Sequence, residues 1–253
     1  MPETWPMLGL VVGGAALAGF VQGLSGFAFS LVALSVWAWA LVPQIAAPLA
    51  VFGAFLGQIA SLASVRGGFD FRRIAPLVLG GAIGVPFGVF ALHNVDPVHF
   101  KLAIGVFLTL YGLYGLLTSG AARVTAGGAG LDASVGFIGG VLGGLGGMAG
   151  SVPAIWTQLR GWQRDLRRAT MQVYNIAMHT LTLTIYARTG TLDAATFPLL
   201  AIVAPAMLIP SYLGGRLYGS FSEKTFTRVV LLLLLASGVA LAFGSARELW
   251  RRG

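Results

Sequence analysis

The chain has 253 residues, 57% of them hydrophobic and 9% charged, with a formal net charge of +8, no cysteine and a mean hydropathy of +0.84. So few polar side chains cannot clothe a soluble globule, and the composition describes an integral membrane protein. The missing cysteines exclude disulfides and thiolate metal sites, and arginines in short loops orient a membrane protein rather than bind nucleic acid.

No charged leader or cleavage site precedes the first apolar run, Leu8 to Leu41, which is read as part of the mature fold. As one straight helix, Leu8 to Trp39 would be about 48 Å long at 1.5 Å per residue, against a hydrocarbon core of about 30 Å. Two half-helices of about fourteen residues with a turn between them fit better. The turn is expected in GFVQGLSGFAFSLVAL, residues 19–34.

Three further apolar runs follow, Ile45 to Val65, Ile74 to Leu92 and Phe100 to Leu117. The fifth, Ser134 to Leu159, carries a second glycine-rich segment, GVLGGLGGMAGSVPAI at 140–155. Laid over the first at an offset of 121, it matches at Gly19/Gly140, Gly23/Gly144, Leu24/Leu145, Gly26/Gly147, Ala28/Ala149, Ser30/Ser151 and Ala33/Ala154. Ala169 to Ala187, Phe197 to Leu213 and Phe226 to Phe243 complete eight runs, and Pro86 pairs with Pro210 in the third run of each half. The chain therefore divides into two transmembrane repeats, 1–122 and 123–253.

The basic residues choose between two topologies. If all eight runs cross, the sixteen basic residues divide evenly between the two sides. If the two glycine-broken runs return to the side they entered from, Arg66, Arg72, Arg73, Arg123, Arg160, Arg164, Arg167, Arg168, Arg216, Lys224 and Arg228 lie inside. Only Lys101, Arg188, Arg247, Arg251 and Arg252 are then outside, and the positive-inside rule is obeyed. Three crossings per half make the second half inverted relative to the first. The expected fold class is thus an all-α integral membrane protein of two homologous halves, four apolar segments each, with a re-entrant first segment and an inverted repeat.

Broken helices in corresponding positions of two halves mark a transporter's binding site. All eight acidic residues lie outside or at the edges of the apolar runs, which disfavours a metal-cation or sodium cargo and favours an anion or a neutral solute. Helix N-termini beside Gly26 to Ser30 and Gly147 to Ser151 offer amides to an oxyanion. The candidate substrate-binding residues are Gln22, Gly23, Ser25, Gly26, Ser30, Gln58, Gly146, Gly147, Ser151, Asn175 and His179. His179 is the only titratable side chain well inside a run, and Trp156 and Gln158 are placed as walls of the site. His93 and His99 are read as solvated, and RGWQRDLRR at 160–168 as a cytoplasmic anchor.

No enzymatic activity, catalytic residue, metal or cofactor is expected. The expected partners are a small anionic substrate and the lipid bilayer, with no nucleic acid and a homodimer left open; the expected location is a bacterial inner membrane. Two rival readings stand beside this one: a rhomboid-like intramembrane serine protease using Ser25 and His179, and a non-transporting membrane scaffold.

The GxxxGLSGFAFS segment, its GxxxGLGGMAGSVP echo, GxxxGVPFG at 80–88 and eight runs in about 250 residues resemble the TauE/SafE sulfite-exporter family of membrane permeases. The resemblance implies a secondary transporter of sulfite, an organosulfonate or another organic anion, working outward by alternating access. It carries over the segments Gly23 to Ser30 and Gly144 to Pro153. Phe27 and Phe29 depart from the more glycine-rich family form.

Overall fold

The computed structural model describes residues 4–62, 69–118, 124, 127–194, 196–217 and 223–252, and every regular element among them is a helix. In chain order these are α1 (Thr4–Ser25), α2 (Phe29–Trp37), α3 (Pro43–Ser61), α4 (Phe71–Asn94), α5 (Pro97–Leu117), α6 (Ala129–Gly146), α7 (Ser151–Leu159), α8 (Arg164–Arg188), α9 (Thr196–Leu217) and α10 (Glu223–Arg252). Seven of them, α1, α3, α4, α5, α6, α9 and α10, are long and apolar enough to cross a bilayer. The protein is a multi-pass membrane protein. Arg66 and Arg123, counted in the topology argument, lie outside the described residues.

Within the described residues all eight apolar runs are helical, and the two glycine-rich ones are broken where expected. Their pieces are unequal, however: 22 and 9 residues in the first run, 18 and 9 in the second. The fourteen-residue halves are corrected because the first helix begins at Thr4, ahead of the apolar run, and holds until Gly26 turns left-handed.

Local chemistry sets the other boundaries. Asp70 caps α4 by accepting from the amides of Arg72 and Arg73, and Asp96 caps α5 by accepting from Val98, followed at once by Pro97. Asp193 accepts from the Thr196 amide at 2.8 Å at the start of α9.

Small residues dictate how the long helices meet. A Cβ on Gly80, Gly84 or Gly88 of α4 would overlap the carbonyl oxygens of Ala133, Phe137 and Val141 on α6. A Cβ on Gly136, Gly140 or Gly144 of α6 would overlap those of Leu77, Gly81 and Val85 in return. Positions four apart lie on one face, so α4 and α6 run parallel in backbone contact. Gly19 and Gly23 of α1 meet Met207 and Ser211 of α9 in the same manner, and Gly214 of α9 meets Phe20. Gly105 and Gly112 of α5 approach Ala242 and Leu231 of α10, which runs antiparallel.

The short helices fold back along the long ones that precede them. The Trp37 indole N–H at the end of α2 donates to Leu10 O of α1 at 3.3 Å, while Phe29 at its start bonds to Gln22. At the end of α7, Leu159 O accepts from Val124 N at 2.9 Å, and Trp156 reaches Asp132 in the first turn of α6. Each break is thus the tip of a hairpin whose second arm is about 14 Å long.

Candidate functional site

The matching glycines of the two motifs do different work. Gly23 and Gly144 are packing residues, each against the backbone of a neighbouring helix. Gly26 and Gly147 end their helices with φ of +84° and +77°, the left-handed region where side chains are strained.

The first tip is held by glutamines. Gln22 Nε2 donates to Gly26 O at 3.1 Å and Gln58 Nε2 donates to the same oxygen at 3.0 Å. Gln22 Oε1 accepts from Phe29 N at 3.0 Å, so the first amide of α2 is already taken. Ser25 Oγ donates to Val21 O at 2.8 Å and accepts from Ala28 N at 3.3 Å. Gln172 of α8 donates to Gln58 O, which ties α8 to this cluster. Gln22 and Gln58 are almost fully buried.

The second tip is built from backbone. Gly147 N donates to Gly143 O at 2.8 Å and Met148 N to Leu142 O at 3.3 Å, a reverse closure of the helix end that needs no side chain. No side chain caps the start of α7. Ser151 turns inward on itself, its hydroxyl donating to Met148 O at 2.6 Å. A Cβ on Gly147 would lie 2.6 Å from Ser30 Oγ and 3.0 Å from Val51 Cα, so this tip rests on the first turn of α2 and on α3. Gly146 faces Leu34 of α2. Ser30 Oγ donates to Ala50 O at 3.1 Å.

Helix α8 brings the remaining candidates to the second tip. The Asn175 amide lies against Gly150, where an added Cβ would be 2.5 Å from Oδ1 and 2.7 Å from Nδ2. Asn175 Oδ1, His179 Nδ1 and Thr182 Oγ1 are buried and have no hydrogen-bond partner among the described residues. Their residues are 2%, 2% and 0% exposed. Unsatisfied polar atoms at that depth are costly, about 1–3 kcal/mol each, and clusters of them mark strain or a missing ligand. Positions 175, 179 and 182 share one helical face. Thr182, which shares the polar span MQVYNIAMHTLTLTIY with Asn175 and His179, belongs to this group although it is not among the candidate binding residues; the spacing of four and three residues is the signal for it.

The structure therefore gathers Ser30, Gly146, Gly147 and Asn175 around the second tip, with His179 one turn along α8, and gathers Gln22, Ser25, Gly26 and Gln58 at the first. Gly23 packs against α9 instead. All three candidate serine hydroxyls donate to backbone carbonyls. No hydrogen bond joins Ser25 to His179, so the dyad that the protease reading requires is not formed.

Trp156 is not a wall of the site: its indole N–H donates to Asp132 at 2.6 Å, at the other end of the hairpin. Beside it a cavity of about 700 Å³ opens between α4, α6 and the α7–α8 turn, lined by Asp70, Arg73, Asp132, Arg160, Trp162 and Gln163 among others. Its two arginines are balanced by two aspartates; Arg73 pairs with Asp70 at 3.2 Å and lies over Trp162, and Arg160 lies over Trp156. None of the residues lining this larger cavity belongs to the glycine tips. A smaller one of about 190 Å³ adjoins the first tip, between Ser25, Phe27, Leu31, Tyr111, Thr227 and Leu234. His93 is less free than its loop position suggests, since its ring contacts Val89 O at 2.8 Å and Thr191 Oγ1 at 2.9 Å.

A family model described as sulfite exporter TauE/SafE matches residues 11–241. No curated protein and no solved structure matched the chain. With nearly its whole length inside that match, the chain belongs to the TauE/SafE sulfite exporter family.

Proposed function

We propose that this member of the TauE/SafE family is a secondary transporter of a small oxyanion, sulfite or an organosulfonate, exported across a bacterial inner membrane. The observation that carries this reading is the second tip. There a nine-residue helix without a side-chain cap begins beside the buried Asn175 amide, which presents Nδ2 as well as an unpartnered Oδ1 to Gly150. Ser151 N already donates to Met148 O and Pro153 has no N–H, so the donors offered to an anion's oxygens are the Val152 N–H, with the positive partial charge of the helix end, and Asn175 Nδ2.

The two halves, 1–122 and 123–253, act as inverted repeats, each with one hairpin that re-enters on its own side and three crossings. Two contacts support this. Helix α1 of the first half packs parallel on α9 of the second, and α6 of the second packs parallel on α4 of the first. Chain order makes α1 equivalent to α6 and α9 to α4, so one contact is the other with the halves exchanged. Alternating access then rocks one hairpin against the other where Gly147 meets Ser30.

Efflux of labelled sulfite from proteoliposomes tests the reading. Gly147→Leu is expected to abolish it, and Gly9→Ala, where nothing lies within 4 Å, to leave it intact. Equal efflux in the two variants, or none in the wild type, would reject it.

A further inference from the structure

Three deeply buried polar atoms on one face of α8 find no partner, and the middle one belongs to a titratable ring: Asn175 Oδ1, His179 Nδ1 and Thr182 Oγ1. The proposed anion site uses Asn175 and leaves the imidazole without a task. His179 also stands apart from every other charge. Helices α3 and α7, packed against α8, contain no titratable residue. The only one in α6 is Asp132, in its first turn and bonded to Trp156. Those of α4 are Arg72 and Arg73 at its start and His93 at its end, the last bonded to Thr191. On α8 itself, Tyr174 and Tyr186 donate to Gly136 O and Gly144 O, and the basic residues and Asp165 lie more than two turns from His179 at the helix ends.

We propose that His179 is the proton site of this transporter, taking up a proton together with the anion seated at the second tip, so that anion and proton leave as a pair. This rests on the transport reading above and adds the coupling ion to it. The physical reason is mutual neutralisation. An imidazolium in an apolar interior without a counter-charge is expensive, and so is an oxyanion held by dipoles alone. Each makes the other affordable, which links the two uptakes without a moving part. Thr182 Oγ1, three residues further along the same face, is likewise buried and without a partner among the described residues. The step is a reversible proton transfer from water to the ring nitrogen and back, with no bond to the anion formed or broken.

A sulfonate is the cleaner probe, because it carries no titratable proton near neutrality. Proteoliposomes are loaded with ethanesulfonate, the potential is clamped with valinomycin and symmetrical potassium, and a trapped dye reads lumenal pH while external sulfonate is assayed. Wild-type efflux is expected to alkalinise the lumen in proportion to the anion lost, and His179→Gln, without the group that neutralises the anion, to release sulfonate more slowly and with no alkalinisation per anion released. Alkalinisation that persists in His179→Gln, or wild-type efflux with no pH change, would overturn the proposal and leave the transport reading standing. Absence of wild-type efflux would remove the transport reading itself. A second measurement uses the wild type alone. The rise in Tm that ethanesulfonate produces in detergent is expected to grow between about pH 8 and about pH 6, because binding that takes up a proton strengthens as pH falls. A rise independent of pH would overturn the proposal as well.

Discussion

The two glycine tips share seven residues of sequence and solve the same backbone problem in opposite ways. The first is fastened by side chains: two glutamines converge on Gly26 O, and one of them also occupies the amide of Phe29. The second closes through its own backbone, which also takes the first amide of α7 as Ser151 N donates to Met148 O, and it faces Asn175, whose Oδ1 has no partner among the described residues. The backbone groups described at both breaks are bonded internally; what distinguishes the second is the unpartnered polar face of α8 beside it.

Alanine at the left-handed glycines should separate the tips most strongly. At Gly26 nothing lies within 4 Å, so Gly26→Ala bears only the cost of the left-handed backbone, about 1–2 kcal/mol. At Gly147 the same cost is joined by overlap with Ser30 Oγ and Val51 Cα, adding about 1–3 kcal/mol. Thermal unfolding in detergent should rank Gly147→Ala well below Gly26→Ala, and equal losses would mean that the second tip yields as freely as the first.

A smaller effect is expected at the glutamine clamp. Gln58→Leu removes one of two donors to Gly26 O while Gln172 keeps its bond to the backbone oxygen of residue 58. The expected loss is about 1–3 kcal/mol, and a double-mutant cycle with Gln22→Leu should show coupling, since both donors serve one acceptor.

The smallest effect lies outside the membrane, at the cap of α5, and provides a baseline. The Val98 amide, with Arg252 and His99 nearby, holds the Asp96 carboxyl below its ordinary 3.8. A depressed carboxyl contributes stability above pH 3.8 and loses it as pH falls through its lower native value. Asp96→Asn should therefore flatten a slight acid-side fall in Tm and, at neutral pH, lower Tm by no more than that same small amount, since asparagine still caps a helix.

Much of this was legible in the residues. The eight runs, the two breaks and the family resemblance rested on glycine position and hydropathy, which in a bilayer are nearly sufficient. The unequal arms were not legible, because apolar pattern cannot say where before Leu8 the first helix starts. Nor could a repeat say that Gly23 and Gly144 serve helix packing while Gly26 and Gly147 serve the turn: both needs select the same residue. Trp156 was misplaced for a related reason, since its partner Asp132 sits 24 residues away in sequence. The unpartnered face of α8 emerged only from the accounting of hydrogen bonds, where a buried polar atom that bonds to nothing stands out from neighbours such as Tyr174 and Tyr186 that do.

The most direct measurement of the central claim, that the second tip with Asn175 is the anion site, is sulfite-dependent Tm in the wild type and in Asn175→Leu. The substitution removes a buried oxygen that has no partner, so the variant alone should be at least as stable as the wild type. Sulfite should raise Tm in the wild type and leave Asn175→Leu unmoved. An equal rise in both proteins, or a ligand-free variant less stable than the wild type, would contradict the account.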